Sequence, residues 1–322
     1  MTNSEQSQIE NRKSKIAFIF PGQGSQSVSM GRDLFDNFNA AREVFEQADE
    51  ALGFSLSEMC FSGTDEDLAL TANTQPAILT SSVAAFRAIE SQSAKMPDFG
   101  AGHSLGEYSA LVAAGVLNFA DAVRTVRNRG TYMQEAVPIG VGAMAAVLGL
   151  DADAVVNGCQ EASQGQVCSP ANINSPSQVV IAGHSEAVDR ACEILKSKGA
   201  KRAIRLNVSA PFHCALMMPA QERLAADLAK LPYGSYSFQI VHNVDAEPRF
   251  ESSAVFDALT RQVSSPVLWL QSVECLIKHG VDTFVEVGPG KVLSGLVRQI
   301  NRDVRTFNVS DAESLRSTLE SI

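Results

Sequence analysis

Short, wholly apolar runs alternate with longer stretches of helical spacing along most of the chain. Lys15-Ile-Ala-Phe-Ile-Phe20, stopped by Pro21-Gly22, has the pattern of a strand buried on both faces. Met30 to Leu52 and Gln75 to Glu90 repeat their apolar positions at helical spacing, and Thr74-Gln75-Pro76 marks the start of the second helix. Phe119 to Ala136 predicts an amphipathic helix, with Ala122, Val123, Val126 and Met133 on one face and Arg124, Arg127 and Arg129 on others. Further on, Pro219 to Leu231 reads as helix and Ser237 to Val244 as strand. Ser264-Ser-Pro266 opens a helix reaching Lys278, and Thr283 to Val287 is a strand running into Gly288-Pro-Gly-Lys291 and a last helix. Strands alternating with helices imply an α/β fold with a mainly parallel sheet, whose sites lie at the carboxyl ends of its strands. Phe20/Pro21, Ser104 and Gly288 fall at such ends.

Between 137 and 209 the rhythm changes. Ala143–Leu150 reads as strand, Ala152–Ala162 as helix, Gln166–Ala171 and Gln178–Ala182 as strands joined by a loop at Asn172-Ile-Asn-Ser-Pro176. Glu186–Lys198 reads as helix and Ala203–Val208 as strand. The order β-α-β-β-α-β is ferredoxin-like. The expected organisation is a polar, disordered tail (1–14), a large α/β catalytic subdomain built from 15–136 and 210–322, and an inserted ferredoxin-like subdomain at 137–209.

The chemistry gathers at Gly102-His-Ser-Leu-Gly106, a G-x-S-x-G between a short Phe/Gly/Ala run and a helix-favouring stretch. That is the hydrolase-like nucleophile elbow: a serine on a sharp strand-to-helix turn projects its hydroxyl, and a side chain on either flanking Gly would strike the folded chain. The helix that follows aims unpaired N–H groups and its positive end at any oxyanion formed there. The motif alone fits a Gly-rich turn equally well. Two other Gly-rich stretches are not nucleotide sites. Pro21-Gly-Gln-Gly-Ser-Gln26 lacks the third Gly of a dinucleotide fingerprint, and Gly288-Pro-Gly-Lys291 is followed by Val292 where a phosphate loop needs Ser or Thr.

Composition narrows the class. A net charge of −10 disfavours nucleic acid or an anionic membrane as partner. The amino terminus has no apolar signal-peptide core, and no run approaches a membrane span. A cytoplasmic protein is therefore expected. The six scattered cysteines form no metal-binding pattern, so no metal site is expected; Cys214 is a weaker nucleophile candidate than Ser104, because nothing presents it.

A serine hydroxyl needs a base, and histidine suits neutral pH. Of the five histidines, His103 is expected to point away from the nucleophile, and His184, His242 and His279 read as structural. His213, beside Pro211 and Phe212 at the edge of the insertion where a cleft should form, is the candidate base, although a structural role fits its position as well.

Phe20-Pro-Gly-Gln-Gly-Ser-Gln26, Thr74-Gln-Pro76, Gly102 to Tyr108, Arg129-Gly130, Asn172 to Pro176, Phe212-His213 and Glu286-Val-Gly-Pro-Gly290 follow one another in a family order. From Lys15 to about Ile300 the chain resembles the malonyl-CoA:acyl carrier protein transacylases. The resemblance implies that Ser104 is the nucleophile that becomes malonylated and His213 its base, with the backbone N–H groups of Gln23 and Leu105 as oxyanion hole. It implies further that Arg129 clamps the substrate carboxylate, that Gln75, Asn172 and Asn174 line the site, and that the backbone carbonyl of Gln262 orients His213 in place of an acidic residue. Phe212 and Leu105 resemble the malonyl-selective members, and the Phe212 ring should leave little room for an α-methyl branch.

The implied partners are malonyl-CoA and an acyl carrier protein whose phosphopantetheine thiol accepts the acyl group. No permanently bound cofactor and a monomeric state are expected, and the lack of a fused synthase points to fatty acid synthesis. Lys196, Lys198, Lys201 and Arg202 are the expected docking cations. Two alternatives stay open at this stage: a serine hydrolase (thioesterase or esterase), which needs no buried arginine, and a non-catalytic carrier-binding module.

Overall fold

The computed structural model describes residues 14–208 and 210–322. The expected tail thus lies outside the described residues except for Ser14, whose hydroxyl donates to Asp282 at 2.6 Å.

In β1 (Lys15–Phe20), Ile16, Phe18 and Phe20 join one apolar cluster, and Ala17 and Ile19 join another on the opposite face. Cover on both faces is why the strand reads as a continuous apolar run. Its sheet also contains β2 (Phe99–Gly102), β7 (Gln239–Val241), β8 (Pro248–Arg249), β9 (Val281–Val287) and β10 (Arg305–Val309), in the order β10-β9-β1-β2-β7-β8. All neighbours are parallel except β7 and β8. Phe20 pairs with Gly102 and Ile19 with Glu286, so the carboxyl ends of β9, β1 and β2 lie side by side.

The remaining strands, β3 (Gly142–Leu148), β4 (Cys168–Ser175), β5 (Gln178–His184) and β6 (Arg202–Arg205), form a separate antiparallel sheet in the order β4-β5-β3-β6. Helices Ala152–Ser163 and Ser185–Ser197 cover one face through Val155, Cys159, Val188 and Leu195. This order and connectivity are ferredoxin-like. From the other face Met144, Val180 and Ala182 join the large core.

Several boundaries differ from the pattern-based ones for identifiable reasons. The stretch Met30–Leu52 is two helices, α1 (Arg32–Asn37) and α2 (Asn39–Leu52), broken where Phe38 turns extended and packs on the core. The next long helix, α3 (Thr71–Gln92), starts before Thr74-Gln75-Pro76 and holds Pro76 inside it. Proline has no N–H for the carbonyl four residues back. Arg127 of the later helix supplies one instead, donating to Ala72 O at 3.3 Å. Residues 172–175 continue β4 rather than looping, because Ile173 N and Val267 N exchange hydrogen bonds with Val267 O and Ala171 O, each 2.9 Å. The same pairing keeps Ser264 to Leu268 out of the helix, which starts at Trp269. β6 stops at Arg205 rather than Val208.

Candidate active site

Between β2 and α4 (Gly106–Ala113) the chain turns so sharply that Ser104 has φ +52°, a region L-residues rarely occupy. A Cβ on Gly102 would lie 2.0 Å from Gly106 O, and one on Gly106 would lie 2.0 Å from Phe20 O. Only glycine allows both approaches. The turn is pinned by Asn243, just past β7: its Oδ1 accepts from Ser104 N at 2.7 Å and its Nδ2 donates to Gly102 O at 2.7 Å.

The Ser104 hydroxyl lies 2.7 Å from His213 Nε2, and His213 Nδ1 lies 2.9 Å from the backbone carbonyl of Gln262. A carbonyl only accepts, so Nδ1 carries the proton and Nε2 presents its lone pair to the hydroxyl. Burial first, and the neighbouring Arg129 charge second, pull the His213 pKa down to about 3. The imidazole is therefore neutral at physiological pH and free to accept a proton. His213 itself has φ +59°; strain at both partners of one hydrogen bond is characteristic of a functional site.

Arg129 reaches the same oxygen from the buried face of α5 (Phe119–Glu135). Its Nη2 donates to Ser104 Oγ at 3.0 Å and to Gln262 Oε1 at 2.8 Å, and Nη1 donates to Gln75 Oε1 at 2.8 Å. Only 1% of the residue is exposed. Its hydrogen-bonding partners are neutral oxygens, and among the described residues it forms no ion pair. A buried cation without an anion attracts one strongly. Gly130 lets this helix close on α3: a Cβ there would lie 2.5 Å from Thr71 O.

These groups face a cleft of about 220 Å³ lined by Gln23, Gln75, Asn172, Asn174 and Phe212 as well as by Ser104, Arg129 and His213. Gln262 and Leu105 stand behind Ser104, outside the lining. Among the described residues the backbone N–H groups of Gln23 and Leu105 make no hydrogen bond, which leaves them available to an oxyanion. His103 makes no side-chain hydrogen bond to Ser104 among the described residues; its ring lines the cleft, held through Nε2 to Asn174 Oδ1 at 2.9 Å and packed beside Trp269. Cys214 is buried, donates to Pro211 O, and has its pKa pushed up to about 11 by burial, so it is no thiolate. Of the expected docking cations, Lys196 pairs with Glu193 and Lys198 with Glu161, and none of the four lines the cleft. Among the described residues no His, Cys, Asp or Glu cluster could hold a metal, and no helix is long and apolar enough to cross a membrane.

A second layer escaped the sequence reading. Glu107 is wholly buried and accepts from His242 Nδ1 (2.6 Å), Asn243 N (3.0 Å) and Gln262 Nε2 (2.8 Å). In sequence it looks like an ordinary acid in the first turn of a helix. The available signal was position: His242-Asn243 directly follows β7, the strand beside β2, at the edge of the carboxyl-end cluster.

A strained serine on an elbow, a neutral histidine against its hydroxyl and free backbone donors nearby define a serine enzyme of the acyl-transferring class. The comparisons agree: the family model described as "acyl transferase domain" matches residues 17–317. The malonyl CoA-acyl carrier protein transacylase of Salmonella typhimurium is 50% identical over 305 residues, covering 95% of this chain and 99% of that protein. That of Bacillus subtilis is 48% identical over 310 residues, covering 96% and 98%. Among solved structures, the malonyl CoA-acyl carrier protein transacylase of Coxiella burnetii superposes with a TM-score of 0.94 at 44% identity, covering 95% of this chain and 97% of that one. A malonyl-transacylase solved in complex with its type II PKS acyl-carrier protein gives 0.94 at 46%, covering 96% and 100%. The chain belongs to the acyl transferase family, among its malonyl CoA-acyl carrier protein transacylases.

Proposed function

We propose that the protein moves the malonyl group of malonyl-CoA to the phosphopantetheine thiol of an acyl carrier protein by way of malonyl-Ser104. The observation that carries this reading is the buried guanidinium of Arg129, 3.0 Å from the Ser104 hydroxyl and, among the described residues, joined to no carboxylate. A hydrolase of neutral esters has no use for such a group beside its nucleophile. A malonyl thioester has its free carboxylate one carbon from the reacting carbonyl, so the two ends of the acyl group would meet Arg129 and Ser104 together.

Arg129 grips the carboxylate through two N–H groups of its fork, releasing Ser104 Oγ as it does so. Ser104 Oγ forms a bond to the thioester carbon while His213 Nε2 takes its proton, and Gln23 N and Leu105 N stabilise the oxyanion. The carbon–sulfur bond then breaks, and the CoA sulfur leaves with the proton from His213. In the second half the carrier thiol gives its proton to His213 and attacks malonyl-Ser104, and Ser104 recovers its proton. Gln75 holds Arg129, Asn172 and Asn174 shape the cleft wall, and Phe212 leaves little room for an α-methyl group. The unit formed by 15–136 and 210–322 carries the nucleophile and clamp, and 137–209 forms the opposite wall. On this reading the enzyme works as a cytoplasmic monomer, without a resident cofactor, and supplies fatty acid synthesis.

The test is intact-mass analysis after mixing with malonyl-CoA, followed by addition of acyl carrier protein bearing phosphopantetheine. A malonyl adduct that Ser104→Ala abolishes and the carrier protein removes is expected. An unmodified wild-type chain would falsify the reading.

A further inference from the structure

The side chain of Gln262 stands between two buried charges that do not touch each other. Its Oε1 accepts from Arg129 Nη2 at 2.8 Å, while its Nε2 donates to Glu107 Oε2 at 2.8 Å and to Ser104 O at 3.0 Å. An ionised carboxylate has only acceptors and a guanidinium only donors. The amide therefore fits in one orientation, with its NH2 end on Glu107 and its oxygen on Arg129. Rotated by half a turn, it would set N–H against N–H and oxygen against oxygen.

Glu107 is itself fixed from behind. His242 Nδ1 at 2.6 Å and Asn243 N at 3.0 Å hold its carboxylate, and the Tyr236 hydroxyl lies 3.2 Å from His242 Nε2. With Gln262 as spacer, Glu107 is near enough to offset part of the Arg129 charge without occupying its fork. A carboxylate in direct contact would fill the donors that a substrate acid must find empty.

We propose that Glu107 is the positioning residue of the carboxylate clamp: acting through the Gln262 amide, it fixes the Arg129 guanidinium and so sets the preference for acyl groups that end in a carboxylate. This rests on the reading of Arg129 given above. Glu107 does not touch the acyl group and takes no proton in the reaction. Its contribution is to dictate which end of an amide faces the cation.

In Glu107→Gln the carboxylate becomes a second amide, and Gln262 can turn its NH2 end toward Arg129, which then loses an acceptor and its place beside Ser104. Initial rates of Ser104 acylation by malonyl-CoA and by acetyl-CoA separate this from general damage. The malonyl-to-acetyl ratio of kcat/KM is expected to fall at least tenfold in Glu107→Gln. Gln262→Met, which keeps the backbone carbonyl that orients His213 and alters no buried charge, should lower the ratio in the same direction. The double variant should lose little more than the worse single one, because both cut one chain of contacts.

Thermal unfolding is followed alongside; if Glu107→Gln does not fold, Gln262→Met decides alone. Variants that slow both substrates in equal proportion would overturn the proposal. A wild-type enzyme with no preference for malonyl-CoA would overturn the reading of Arg129, and this inference with it.

Discussion

Arg129 donates to the hydroxyl of Ser104 at 3.0 Å, on the oxygen that His213 approaches at 2.7 Å. The cation proposed to select the substrate thus touches the atom proposed to attack it. On the proposed reading, a carboxylate entering the cleft would displace the arginine from the nucleophile, whereas an acyl group without one would leave it in place. Selection and activation would then be parts of a single exchange of hydrogen bonds.

The geometry of the fork makes Arg129→Lys a severe change. A lysine ammonium cannot span Gln75 Oε1, Gln262 Oε1 and an incoming carboxylate from one planar group. Losing one charge-assisted hydrogen bond costs about 1.5–3 kcal/mol, and about one to two such bonds are at stake. Malonyl transfer should therefore fall about a hundredfold in kcat/KM, with acetyl transfer reduced less. Steady-state rates for the two thioesters check this, and a lysine variant with wild-type malonyl transfer would contradict the clamp.

Burial and the Arg129 charge both lower the His213 pKa, so the base stays unprotonated well below 6.5. Acylation should show no inflection near pH 6.5, and its acid limb should lie lower. Removing the cation in Arg129→Ala favours the protonated ring and moves that limb upward. The limb should still stop short of 6.5, because burial is the larger cause. Stability carries the same sign: below pH 6.5 the unfolded chain takes up a proton that folded His213 refuses. This group alone then costs about 1.4 kcal/mol per pH unit until the folded pKa is reached. Rate profiles from pH 4 to 8 for both proteins, with a neutral acyl donor for the variant, test the kinetic half.

How much of this could be read from the chain depends on the range of the interactions. β1, the elbow and the ferredoxin-like order were legible because apolar periodicity and glycine spacing are local. Ser104, His213 and Arg129 were legible as a set only through seven ordered motifs; His213 alone, 109 positions from Ser104, had no local mark of its partner. The boundary at Asn172 was misread because a cluster of Asn, Ser and Pro signals a loop, while the segment is kept extended by Val267, far along the chain. The pairing of Glu107 with His242 was missed for a like reason. Each looks ordinary until the sheet brings β7 beside β2, and no periodicity records which buried acid meets which buried imidazole.

Phe212 lies against the cleft beside His213 and is 8% exposed. On the proposed reading, a ring in that place would occupy volume that an α-methyl branch needs. Phe212→Ser should raise the kcat/KM of methylmalonyl-CoA relative to malonyl-CoA by about tenfold, within the 1–3 kcal/mol that one methyl group usually commands. Competition between the two thioesters for one enzyme preparation measures the ratio directly. An unchanged ratio would place the exclusion elsewhere in the cleft wall.

Gly22 offers the sharpest test of the oxyanion donors. A Cβ there would lie 2.3 Å from the carbonyl oxygen of His103, a backbone atom held in place by accepting from Gly106 N at 2.9 Å. The elbow cannot yield, so Gly22→Ala must displace the loop that carries the Gln23 N–H. Neither Ser104, His213 nor Arg129 makes a hydrogen bond to Gly22, and the clamp should survive. The expected result is a loss of about 10²–10³ in kcat, the usual cost of one missing oxyanion donor, with a much smaller change in KM for malonyl-CoA. Overpacking at the loop should cost about 1–3 kcal/mol of stability, so thermal unfolding must show a folded enzyme at the assay temperature. Should folded Gly22→Ala keep its wild-type kcat, the negative charge on the intermediate is held by groups other than Gln23.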